Sequence, residues 1–234
     1  MMGWFDPMYF LFLLPGMLLA MWAQWRVKQA YAAASQIPAA SGYNGAQAAD
    51  ALLHQAGVGN VRIEPTEGFL SDHYVPGERI LRLSPDVYQG RSLASVGIAA
   101  HEAGHALQDA QRYPLMGLRN NLVPLASIGG TVSMGLMLLG FALSIMNLVI
   151  IGIFAFSLTV LFQLVNLPVE FDASRRARIE LVRTGVITPQ EEAEVGKVLN
   201  AAALTYVAAT LSSILTLLYF LFRAGLLGGS RRDE

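Results

Sequence analysis

Long apolar stretches alternate with polar blocks along this chain, and their lengths predict its elements. Met8 to about Trp25 is almost wholly apolar, interrupted at Pro15-Gly16 and framed by Trp4, Trp22 and Trp25, side chains suited to the two membrane–water interfaces. Leu122 to Pro168 carries no charged residue at all. As one helix at about 1.5 Å per residue it would exceed twice the thickness of a bilayer's hydrocarbon, so a two-helix hairpin is expected, turning near Ser144 to Asn147. Gly129, Gly130, Gly135 and Gly140 in its first half would let that helix pack closely on a neighbour. A last apolar run covers about Ala203 to Phe222 and is closed by Arg223.

The pattern divides the chain into an N-terminal anchor (1–25), a polar region (26–121), a transmembrane hairpin (122–168), a cytoplasmic helix (169–202), a C-terminal span (203–223) and a tail (224–234). Within the polar region a connector rich in alanine, serine, glycine and proline (Ala32 to Gly45) leads to a helix, Ala46 to His54, ended by Gly57. Val61 to Glu64 alternates as a short strand. Ser71 to Tyr74 and Arg79 to Leu83 predict a hairpin joined through Pro76-Gly77. Ser92 then caps a helix running from Leu93 to Gln111, with Pro114 beyond its end. After the transmembrane hairpin, Glu170 and Asp172 open a helix that heads toward Val182. The sum is a mainly α membrane protein of about four transmembrane helices with a small mixed α/β unit.

Composition agrees: 54% of residues are hydrophobic and 14% charged, a balance shifted away from soluble domains. A net charge of -1 carries no sign of a nucleic-acid or acidic partner, and no nucleic acid is expected among its partners. The absence of cysteine excludes disulfides and thiolate ligands. Arg26 and Lys28 follow the first apolar run, so an uncleaved anchor is expected in place of a signal peptide. Of sixteen basic residues, all but Arg223, Arg231 and Arg232 lie between the first and second spans or between the third and fourth. By the positive-inside rule those two segments face the cytoplasm.

The chemistry concentrates at residues 101–105, His-Glu-Ala-Gly-His. Two imidazoles four apart on a helix share one face, and Glu102 sits where it can reach a water on the same metal, which is the minimal geometry of a zinc hydrolase. Gly104 inside this helix costs about 1 kcal/mol against alanine, which fits a close approach on that side or a tolerated small residue. A catalytic zinc needs three protein ligands and an open position. With no cysteine the third must be Asp, Glu or a remaining His. An even number of crossings returns Glu170 and Asp172 to the membrane face of His101 and His105; His73 is the other candidate. A carboxylate at a membrane boundary is costly without a strong partner, and a divalent cation is one. Asp109, one turn past His105, could orient a ligand histidine or be a plain surface charge. Arg175, Arg176 and Arg178 suit anionic lipid heads.

HEAGHALQ at 101–108, LSDHY at 70–74, RLSPDVY at 82–88 and NLPVEFDASRRA at 166–177 resemble the YugP-type bacterial neutral zinc metallopeptidases over nearly the whole chain. More distantly the chain is similar to the HtpX and CAAX-processing membrane gluzincins, whose third ligand is the glutamate of a Glu-x-x-Ala-Asp pattern. The resemblance implies a zincin-like (gluzincin) catalytic unit, one Zn2+ on His101, His105 and Glu170, and Glu102 as general base. Ser174 stands where the distant relatives carry aspartate. Asp172 and His73 remain the second and third choices of ligand.

The implied activity is peptide hydrolysis at a bacterial inner (cytoplasmic) membrane, with the lipid bilayer and membrane or membrane-proximal proteins as partners. Oxyanion stabilisation falls to His73, Tyr74, Tyr88 or an arginine. In a gluzincin an extended peptide can add to the edge strand beside the zinc helix. Two other readings compete: a catalytically silent metal-binding membrane scaffold or chaperone-like protein, and a protease cutting within the bilayer. Glu102 favours an enzyme, because a structural site has no use for a general base. Arg91, Asp109 and Arg112 around the motif helix argue against an intramembrane position.

Overall fold

The computed structural model describes residues 7–68 and 70–227, so Trp4 and the tail residues Arg231 and Arg232 lie outside the described part. The chain is mostly helical, in the order α1 (Pro7–Ser35), α2 (Gly45–Gln55), β1 (Arg62–Pro65), β2 (His73–Val75), β3 (Ile80–Leu83), α3 (Pro85–Tyr88), α4 (Leu93–Ala110), α5 (Pro114–Ala142), α6 (Met146–Arg183) and α7 (Glu192–Arg223). Four of these, α1, α5, α6 and α7, are long and apolar enough to cross a membrane.

Their ends differ from those the apolar runs suggest. α1 continues ten residues past Trp25, through a connector whose alanines are as good at forming helix as at linking. Pro15 lies inside it. α6 is one helix from Met146 to Arg183 with Pro168 in its interior, so Glu170 and Asp172 are mid-helix and do not open a new element. The hairpin turn falls at residues 143–145, where Ser144 takes a left-handed φ of 57°. α7 begins at Glu192, about three turns ahead of its apolar run.

The chain forms two compact units. The first takes the described residues up to Trp22, Leu118–Leu167 and those from Thr205 on. Its core gathers Met137, Val149, Ile153, Phe156, Val160, Tyr219 and Phe220. Glycines let its helices touch backbone to backbone: a Cβ on Gly140 would stand 2.8 Å from the nitrogen of Val149, and one on Gly152 2.9 Å from the oxygen of Ser133. Gly135, which the pattern also suggested, meets nothing within 4 Å. Outward faces are strongly apolar; Phe154 is 70% exposed, which suits hydrocarbon and not water.

The second unit comprises Ala23–Gly117 and Pro168–Leu204. Its sheet has the order β1-β3-β2, with β1 parallel to β3 and β2 antiparallel to it, His73 opposite Arg82 and Tyr74 opposite Leu81. The Pro76-Gly77 connection therefore does join a hairpin, and β2 lies at an edge. Asn44 caps α2 in a capping box with Gln47, and Gly57 ends the helix region with φ 73°. α2 packs on α4. The core beneath them includes Leu52, Leu81, Leu83, Leu93, Leu107, Leu181 and Ile187.

Candidate metal centre

α4 begins where the Ser92 hydroxyl accepts the backbone N–H of Ser95. Its small apolar residues are buried on almost every side, which fixes the helix and the direction of its two histidines. Four residues apart, the rings of His101 and His105 come to 4.8 Å between centroids. Gly104 lies between them, and a Cβ there would stand 2.6 Å from the backbone oxygen of Ala173 on α6. The glycine is thus a contact point between two backbones. One turn back from that contact, Glu170 is 2% exposed and turns a carboxylate oxygen to both imidazoles, 3.2 Å from His101 Nε2 and 3.6 Å from His105 Nε2.

The three donor atoms all lie within 4.8 Å of one another. Ligands each about 2.1 Å from a tetrahedral ion stand about 3.4 Å apart, so the two carboxylate–imidazole separations match the edges of such a site. The chemistry of the set, two nitrogens and one oxygen, also suits zinc.

The opposite ring nitrogens are held so that Nε2 faces the carboxylate. His105 Nδ1 lies 3.0 Å from the Gln108 side-chain oxygen. The amide nitrogen of Gln108 donates to the carbonyl of Val169 at 2.8 Å and to Asp172 at 3.0 Å. Both acceptors require the NH2 end, so the oxygen must face His105, whose Nδ1 then carries the hydrogen and donates. Asp172 is in turn bound by Arg175 and Arg176. At His101 the Ser174 hydroxyl lies 3.1 Å from Nδ1, within hydrogen-bond distance of it. Glu102 is half-buried, about 100° round the helix from His101, on a face of its own.

The sequence-derived residues thus divide. His101, His105 and Glu170 meet. Asp172 stands one step back, on Gln108. Asp109 accepts the Tyr74 hydroxyl at 2.9 Å, and the place at His105 proposed for it is taken by Gln108, three residues along on the same face. Burial first, and then the Asp109 carboxylate, push the Tyr74 phenol above its usual range. Its one proton is directed to Asp109. His73 is exposed and donates from Nδ1 to the Ser71 carbonyl at 2.7 Å. Tyr88 packs partly buried against the core. Arg175 and Arg176 bind Asp172, and Arg178 binds Glu192, so these arginines have protein partners where lipid heads were expected.

Gln108 and Asp72 escaped the sequence reading. The first was legible as the residue at i+3 from His105. The second holds the sheet to α3 by accepting the backbone N–H and hydroxyl of Ser84, and burial raises its pKa.

The protein named "Putative membrane protease YugP" of Bacillus subtilis (strain 168) is 45% identical over 214 residues, covering 91% of this chain and 95% of that protein. No solved structure matches the chain. Residues 9–225 match the family described as "Putative neutral zinc metallopeptidase", and the chain belongs to that family.

Proposed function

We propose that the chain is an integral membrane zinc metalloendopeptidase of the bacterial inner membrane, its site facing the cytoplasm, acting on membrane or membrane-proximal proteins. The observation that carries this reading is the meeting of His101, His105 and Glu170 next to a glutamate that is not part of the triad. His101 Nε2, His105 Nε2 and a Glu170 oxygen would hold one Zn2+ per chain. When bound, the metal supplies a Lewis acid that polarises the scissile carbonyl and brings the pKa of a water toward about 7.

The remaining work falls to the protein. Glu102 accepts the proton of the attacking water and delivers it to the leaving amine. Gln108 and Ser174 keep both imidazoles with Nε2 toward Glu170 and resist ring rotation. β2 lies at the edge of the sheet, where the backbone of an extended substrate can add as a further strand. The exposed apolar faces of α1, α5, α6 and α7 meet the bilayer.

Metal analysis of purified protein tests the ligand set. His101→Ala and Glu170→Ala are expected to lose zinc. Zinc retained at full occupancy in Glu170→Ala would move the third ligand elsewhere.

A further inference from the structure

A cavity of about 720 Å³ opens in the second unit against α4, outside the metal triad. Its lining includes Asn60, Tyr74, Arg79, Ala106, Asp109 and Arg112. Asp109 is the one carboxylate among its lining residues and is already engaged by the Tyr74 hydroxyl. Among the described residues, neither guanidinium, Arg79 nor Arg112, has a hydrogen bond or ion pair with another side chain. The cavity therefore offers two uncommitted cations against one carboxylate that has a partner.

Both arginines take left-handed backbone conformations, φ 53° at Arg79 and φ 54° at Arg112. Both conformations belong to tight turns: Arg112 follows the cap of α4, where the N–H of Tyr113 donates to the carbonyl of Gln108, and Arg79 closes the β2–β3 connection, its N–H donating to the carbonyl of Pro76, so two turns set these residues at the edge of the cavity. Only Leu70 and Ser144 share it among the described non-glycine residues, so two of the four border one cavity.

Position supplies the chemical meaning. Ala106 and Asp109 follow Glu102 at four and seven residues, hence on the same face of α4, about 6 and 10 Å further along it. An extended peptide advances about 3.3 Å per residue. A chain held at Glu102 and running along this face reaches the stretch of α4 that lines the cavity, Ala106 to Asp109, after two to three residues, with Arg79 and Arg112 among the residues that line the rest of it. We propose that the cavity is a substrate subsite for a carboxylate, from an Asp or Glu side chain or from a free C-terminus, two to three residues from the bond that is cut, with Arg79 and Arg112 as its cationic partners. The inference rests on the peptidase reading.

Binding and cleavage are measured separately, on full-length zinc-loaded protein in detergent. Fluorescein-labelled peptides of one core sequence carry Glu or Gln two or three residues to either side of the central bond, with free or amidated C-termini. Anisotropy on Glu102→Gln, which binds without cutting, is expected to show about tenfold tighter binding of a Glu or free-acid peptide than of its neutral counterpart. The preference disappears in Arg79→Gln/Arg112→Gln at unchanged zinc content, and Arg79→Glu/Arg112→Glu reverses it. Glu-dependent and terminus-dependent arms separate the two sources of the carboxylate. Equal binding of acidic and neutral peptides, or a preference that survives loss of both arginines, overturns the subsite. Arginine-dependent binding with no cleavage by the wild type would leave the subsite standing and sink the peptidase reading instead.

Discussion

Gln108 shows how much a metal centre depends on a side chain that does not touch the metal. Its amide has one acceptor end and one donor end, and the carbonyl of Val169 together with Asp172 uses up the donor end. His105 is left with an acceptor at Nδ1, which places its lone pair at Nε2, toward Glu170. Gln108→Leu keeps the volume and removes this constraint; zinc affinity by chelator competition should fall about 10- to 100-fold. Asp172→Asn should lower it as well, because a neutral amide there accepts less strongly from Gln108 and leaves the Val169 carbonyl as the stronger anchor of the glutamine. Unchanged affinity in both variants would mean that the histidine is held by packing alone.

At the scale of elements, the contact of α4 with α6 determines whether the site forms. Alanine at position 104 would ordinarily favour helix by about 1 kcal/mol. Here its Cβ would meet the backbone oxygen of Ala173 at 2.6 Å, and backbone cannot yield as a flexible side chain does. Gly104→Ala is therefore expected to destabilise the protein by about 1–3 kcal/mol, read as a lower melting temperature, and to release zinc. A rise in melting temperature would show that the helices can part at no cost. The elements legible in the sequence are those whose own residues carry the signal. Ser92 as cap, the alanine- and leucine-rich run after it and Pro114 beyond its end mark α4, and Pro76-Gly77 between alternating residues marks the β2–β3 hairpin. The length of α6 was not legible, because Pro168 reads locally as a stop and only the surrounding packing carries the helix through it. The extension of α1 was hidden for the opposite reason: Ala32, Ala33 and Ala34 suit a linker and a helix equally. The ligand pair was visible in its spacing. The place of Ser174 at His101, at the position where the distant relatives carry aspartate, depends on how α6 rotates and is not written in the motif.

For the molecule as a whole, the sidedness of the site is a separate claim from its chemistry. The chain has no cysteine, so one introduced at exposed Gln55 gives an unambiguous label. In intact cells it should be inaccessible to a membrane-impermeant maleimide and become reactive in inverted vesicles, as the arginine and lysine distribution requires. Reaction from outside would reverse the topology and leave the metal centre unchanged. Under the proposed function, Glu102 acts as the base of peptide-bond hydrolysis beside a zinc on His101, His105 and Glu170. The most direct test compares wild type with Glu102→Gln for zinc content and peptide cleavage in one preparation. The account predicts about one zinc per chain in both and a loss of cleavage of at least about 100-fold in the variant. Equal cleavage by the two proteins at equal zinc content would contradict it.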